Sequence, residues 1–161
     1  MRKRITPIPQ RAPFLEKDLL DLAIVAQVEV TSEDAAYPVE AALLPGEERG
    51  WRAANSGTQT IRLIFDRPQK LRCIMLVFEE TEASRTQEFV LRWSPDGGTS
   101  FREIVRQQWT FSPTGAVRET ENYGVDLSDV TVLELIIVPD VSGGEARASL
   151  LSWRLAKDAA I

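Results

Sequence analysis

Phe89-Val90-Leu91-Arg92-Trp93-Ser94-Pro95-Asp96-Gly97-Gly98, closed by Phe101, is the stretch on which the fold turns. Its first half places Phe89, Leu91 and Trp93 on one side with Arg92 on the other, the period of two that a half-buried β-strand imposes because successive Cβ atoms point to opposite faces. Its second half is a tight turn: proline cannot donate to a ladder, aspartate bonds back to its own backbone, and paired glycines supply positive φ without a steric cost. Phe101 to Phe111 then returns with Val105, Trp109 and Phe111 on one parity, so the stretch reads as a β-hairpin.

The same signature extends in both directions. Gln59 to Phe65 alternates, with Ile61, Leu63 and Phe65 on one face, and Asp66-Arg67-Pro68 marks its end. Leu71 to Phe78 is apolar on both faces, which predicts a central strand. Val25 to Val30, Asn122 to Leu127, Thr131 to Val138 and Arg147 to Ala156 complete the set, divided by Ser128-Asp129 and by a loop containing Gly143-Gly144. About eight short strands with turn signals and no long helical period predict an all-β antiparallel sandwich. Strict alternation assigns Ile61, Leu63, Phe65, Phe89, Leu91, Trp93, Leu133, Leu135, Leu151, Trp153 and Leu155 to its core. Lys17 to Ala26 suits a short helix or a lead-in strand equally well. Residues 1–16 combine Arg2, Lys3 and Arg4 with Pro7, Pro9 and Pro13, which predicts an extended N-terminal arm, and residues 17–161 form the single domain.

Composition narrows the function classes. The net charge of −5 opposes binding to nucleic acid or to an anionic membrane, since both require a basic surface. No signal peptide and no run of transmembrane length is visible, so the expected location is cytoplasmic. Cys73, the one cysteine, lies inside an apolar run and reads as a small buried hydrophobe. The absence of histidine removes the commonest general base and imidazole ligand, which argues against a zinc site. Nucleophile-elbow and phosphate-loop motifs are also missing, and the chain reads as a non-enzyme with no catalytic residues and no cofactor. Carboxylate-only hydrolysis is the catalytic route that composition leaves open.

Four tryptophans are either core or ligand platforms. Trp93 and Trp153 share the apolar parity of their strands, and Trp109 shares that of Phe111. Trp51 stands beside a loop rich in Gly, Glu and Arg, where it serves either as a lid on the sandwich end or as a stacking surface. Arg52, Asn55, Arg85, Arg118, Glu119, Asn122 and Tyr123 are the polar and aromatic residues expected near loop tips.

Several segments together resemble the galactose-binding-like superfamily, whose members include discoidin and coagulation-factor C-type domains and many carbohydrate-binding modules. The carriers are Ala35 to Leu44, Gly50-Trp51-Arg52-Ala53-Ala54, Gln59 to Pro68, and Phe89 to Gly98 with Phe101. The resemblance implies a jelly roll of two antiparallel sheets whose loops at one end bind glycans, lipid head groups or proteins. It implies a carbohydrate-binding module, with a cytoplasmic protein-interaction or assembly module as the alternative. A glycan would be expected at the loop end near Trp51, Arg52 and Arg85, with Tyr123 contributing. Many relatives hold a structural calcium, but Pro45-Gly46-Glu47-Glu48-Arg49-Gly50 replaces the usual acidic pattern before the tryptophan, and the sequence does not support one.

Overall fold

The computed structural model describes residues 1–3 and 19–158. Most of the expected N-terminal arm, residues 4–16, therefore lies outside the described residues. Eight strands account for nearly all regular structure: β1 Ala26–Val30, β2 Trp51–Ser56, β3 Gln59–Glu79, β4 Arg85–Ser94, β5 Arg102–Phe111, β6 Arg118–Val138, β7 Arg147–Leu150 and β8 Ser152–Ala156. Two single helical turns, α1 Leu22–Val25 and α2 Glu40–Leu43, precede β1 and β2. The open reading of Lys17 to Ala26 thus resolves into a turn capped by the Asp21 carboxylate, which accepts from Ala23 N at 3.1 Å and leads directly into β1.

The count of eight agrees with expectation through compensating differences. The four segments Gln59–Phe65, Leu71–Phe78, Asn122–Leu127 and Thr131–Val138 are two continuous strands, β3 and β6. Their supposed breakers bend the ribbon instead of ending it. The register slips between Ile64, Gln69, Leu71 and Cys73, while Asp129 sits at φ 58°. Asp66, Arg67 and Pro68 are exposed in this bulged stretch, where proline's missing donor costs no buried ladder bond.

Bending across the bulge lets one antiparallel ribbon serve two layers. One half of β3–β6 is continued by β1 on one side and by β4 and β5 on the other, in the order β1-β3-β6-β4-β5. The other half is flanked by β8, through pairs such as Leu76 with Trp153. The Phe78 and Phe89 rings, one from each layer, stack with centroids 5.1 Å apart. A small sheet of β2 and β7 closes one end. All pairings are antiparallel, and the architecture is the expected β-sandwich.

Of the expected core, Ile61, Leu63, Phe65, Phe89, Leu91, Trp93, Leu133, Leu135, Trp153 and Leu155 are buried. Leu151 is the exception and is only half-buried. Alternation through Arg147–Ala156 assumed one strand, but the chain changes partner there: Leu150 pairs with Trp51 and Ser152 with Val77. This switch puts Leu150 and Trp153 inside and turns Leu151 outward. Cys73 is buried against Ala156, Leu19 and Met75 on the far face of its strand, as a hydrophobe would be.

Candidate functional site

At the end closed by β2 and β7, the chain enters β2 through Gly50, which has φ +71° and lies so near β7 that a Cβ would stand 2.5 Å from the Leu150 carbonyl oxygen. Glycine is required twice over, by conformation and by space. Trp51 follows, 1% exposed, and its indole N–H donates to the Ser32 carbonyl at 3.0 Å. It is the lid, with its donor spent inward. The loop before α2 is clamped to the next residue: Asp34 N donates to Arg52 O at 2.8 Å and Arg52 N donates to Tyr37 O at 3.1 Å.

Those backbone bonds carry the Arg52 guanidinium over the Tyr37 ring, 4.9 Å from its centroid. The pair stands at a cavity of about 180 Å³ walled by Tyr37, Arg49, Arg52, Glu80, Thr81 and Ser149 among others. Its lining combines planar donors, carboxylates and hydroxyls with the aromatic side chains of Tyr37 and Trp51. Arg52 is half-buried, so its edge reaches solvent while its face is fixed.

Arg85 lies behind this wall and is 4% exposed. Expected at a loop tip, it is instead the first residue of β4. Its Nε donates to Glu80 at 2.9 Å, its Nη1 to Pro139 O at 2.8 Å, and its guanidinium covers Phe111 at 4.9 Å. Burial acts to raise the Glu80 carboxyl's pKa, but the Arg85 bond and charge and the Glu82 N–H outweigh it, leaving Glu80 below the usual carboxylate range. Trp51 and Arg85 therefore build the site from behind, and Arg52 faces its opening.

Beyond Glu79 and Leu151, which line both spaces, a cleft of about 450 Å³ continues past Glu47, Glu48 and Arg118. The outward turn of Leu151 supplies apolar floor at this junction.

Tyr123 does not join the group. It pairs with Ile74 in mid-strand, five residues along β3 from Glu79, or roughly 17 Å at strand rise. Because β6 begins at Arg118, Glu119, Glu121 and Tyr123 occupy the parity opposite buried Phe78, Leu76 and Ile74 instead of a loop. Tyr123 donates to Glu121 at 3.1 Å, and burial together with the Glu121 charge pushes its pKa up. Glu119 is 1% exposed with neither carboxylate oxygen bonded to a donor among the described residues, and burial, then the adjoining Glu121 carboxylate, raise its pKa to about 8.

Tyr37 was not singled out in the sequence. Its signal was an aromatic next to Pro38 in a loop, which gains meaning only once Arg52 is known to lie on it.

No family model matches the chain, and no curated protein matches it. Among solved structures it is similar to the family 32 carbohydrate-binding module of AlyQ in complex with 4,5-unsaturated mannuronic acid, at 15% identity and TM-score 0.61 over 83% of this chain and 96% of that one. It is also similar to the family 32 module of C. perfringens NanJ in complex with galactose, at 12% identity and TM-score 0.61 over 86% and 97% of the two chains. A third similar structure is an F5/8 type C domain from Bacteroides fragilis, at 16% identity and TM-score 0.60 over 88% and 97%. These likenesses show the fold that the resemblance implied.

Proposed function

We propose, from the fold shared with carbohydrate-binding modules, that this chain is a non-catalytic carbohydrate-binding module whose site is the loop-end cavity at Tyr37 and Arg52. The observation that carries the reading is the Arg52 guanidinium fixed 4.9 Å above the Tyr37 ring at the rim of a polar cavity. A sugar presents vicinal hydroxyls along its edge and C–H groups on its face. A guanidinium held flat offers parallel N–H donors to the first, and an aromatic ring offers a surface to the second. Both groups are positioned before binding, which lowers the entropy lost on association. Trp51 and Arg85 hold the wall in this reading, and Tyr123 takes no direct part.

Glycan-array screening followed by calorimetry tests it. A single shallow site should bind with dissociation constants on the order of micromolar to millimolar. Arg52→Ala should remove the signal while the melting temperature stays nearly unchanged, because the half-exposed side chain leaves no buried partner unpaired and such surface substitutions cost about 0.5 kcal/mol or less. Arg85→Ala should instead lower the melting temperature, since Glu80 and the Pro139 carbonyl lose their buried donor. Silence of the intact, folded protein toward neutral and acidic glycans would reject the reading.

A further inference from the structure

The outer face of the β1-β3-β6-β4-β5 layer carries a row of charges directly across the strands: Glu29, Arg62, Glu134 and Arg92. Glu134 is 1% exposed, an unusual position for a carboxylate on the outside of a sheet. It is held by two arginines. Arg62 Nε donates to Oε2 at 2.9 Å with Nη2 beside it, and Arg92 Nε donates to Oε1. The Phe101 ring covers both guanidiniums, with its centroid 4.2 Å from Arg92 and 5.6 Å from Arg62. One carboxylate thus fixes two cations, and an aromatic ring fixes their faces.

The donors are not used up. Arg92 spends Nε on Glu134, and its two terminal nitrogens have no hydrogen-bond acceptor among the described residues. Its side chain is 36% exposed. Arg92 borders a groove of about 390 Å³ with Ile136 and Thr60 in its lining and Glu29 at its opposite, β1 side. Arg62 Nη1 is 4.0 Å from Glu29, whose side chain remains 57% exposed. The groove therefore has a pinned donor edge at one end, Ile136 and Thr60 beside the Arg62–Glu134 pair in the middle, and an accessible carboxylate at the other. Its size lies within the range of small-ligand sites, which are concave and largely apolar with few, well-placed polar groups.

The geometry points to a second binding site on this sheet face, separate from the loop end, for a carboxylate-bearing sugar of the uronic acid class. The ligand carboxylate takes the free Nη1 and Nη2 donors of Arg92, in the bidentate arrangement that a guanidinium fork favours. Ring C–H groups lie on Ile136, and hydroxyls donate to Glu29 and exchange hydrogen bonds with Thr60. A simple anion satisfies only the Arg92 end and meets Glu29 at the other. A neutral sugar gives the Arg92 Nη donors no charged acceptor. The site does not depend on the loop-end reading.

Calorimetry and NMR titration of the full chain with D-galacturonate and D-glucuronate, against galactose and glucose, test this directly. The uronates should shift resonances at Thr60, Ile136 and Arg92, and the neutral sugars should not. Arg92→Gln should weaken uronate binding at least tenfold, and Arg92→Lys should weaken it severalfold by keeping the charge but losing the planar fork. Should Arg92→Gln unfold the chain by stripping Glu134 of a partner, Thr60→Tyr tests the same site, because it fills the groove and leaves the Arg62–Glu134–Arg92 triad in place. Arg52→Ala should leave uronate binding at the sheet face intact. The proposal is overturned if folded wild-type protein binds neither uronate, if binding survives Arg92→Lys and Thr60→Tyr unchanged, or if Arg52→Ala abolishes it.

Discussion

Asp96 and Glu119 are both carboxylates in a β-sandwich, and their surroundings drive them in opposite directions. Asp96 lies in the open turn after β4. The Ser100 hydroxyl at 2.6 Å, the Ser94 hydroxyl at 2.6 Å and Ser100 N at 2.9 Å all donate to it, and these bonds lower its pKa to about 2. Glu119 lies inside β6 opposite Phe78 with no donor on either oxygen among the described residues, and its pKa rises to about 8. Exposure alone does not explain the contrast, because a fully hydrated carboxylate without donors would titrate near its ordinary value. Organised donors lower one group, and desolvation beside a second carboxylate raises the other. The turn is a feature that locks a hairpin. Buried Glu119 beside half-buried Glu121 makes ionisation unfavourable where β6 starts.

The most severe test of this contrast is Glu119→Gln. The folded protein retains a proton on Glu119 up to about pH 8, whereas the unfolded chain releases it near 4.5. Between these values the folded state binds more protons, so stability falls as pH rises through the window and levels off above it. Denaturant melts at pH 5 and pH 9 should differ by an amount on the order of a few kcal/mol from this group. Glu119→Gln should remove that part of the slope and exceed the wild type in stability at pH 9. A Gln variant less stable than wild type at pH 9 would show that the ionised carboxylate is welcome where it lies.

Ser94→Ala probes the opposite pole with a smaller effect. The Ser94 hydroxyl accepts from Asp96 N at 3.2 Å and Gly98 N at 2.9 Å while donating to Asp96, and all of this is lost together. A cost of about 1–2 kcal/mol in urea melts is expected, with no change in strand content. Asp96→Asn should show its effect as a difference in acid response. The depressed pKa of Asp96 gives the wild type a contribution present above about pH 4 and lost as pH falls toward about 2, and the variant should lack that step.

Both poles also mark how far the sequence could be read. Ser94-Pro95-Asp96-Gly97-Gly98 was legible because a turn is local: hydroxyl, carboxylate and two positive-φ glycines lie within a few residues and bond to one another. Strand parity was legible wherever one pairing partner persists, as in Ile61, Leu63 and Phe65. It failed at Leu151, where the partner changes within two residues, a fact that resides in β2 and β3 and not in the local pattern. Glu119 and Arg85 were expected at loop tips, with Tyr123 beside them, because polar residues at a segment boundary resemble a loop. Each begins or continues a strand whose extent is set by a distant neighbour, Phe78 and Ile74 across from β6, and Phe111 across from Arg85. At the candidate site, Trp51 and Arg52 could be located from sequence. The Tyr37 ring beneath Arg52 required the backbone clamp between Asp34 and Arg52.

The finest division within the buried pair comes from Glu121→Gln. Burial is the largest cause raising Glu119, followed by the hydrogen bond to Glu121 and its charge. An amide at position 121 removes the charge, while its carbonyl oxygen can still accept from Tyr123 and from a protonated Glu119. The pKa of Glu119 should therefore come down from about 8 but remain above 4.5, since Phe78 and the rest of the sandwich still exclude water. In melts recorded across pH, the decline in stability should begin at the same acidic end and finish at a lower pH than in the wild type. The total loss should be smaller than in the wild type, because the folded and unfolded pKa values are closer together. An unchanged profile would assign the whole perturbation to burial. A profile as flat as that of Glu119→Gln would assign it to Glu121, and the contrast with Asp96 would then be one of neighbouring charge instead of lost hydration.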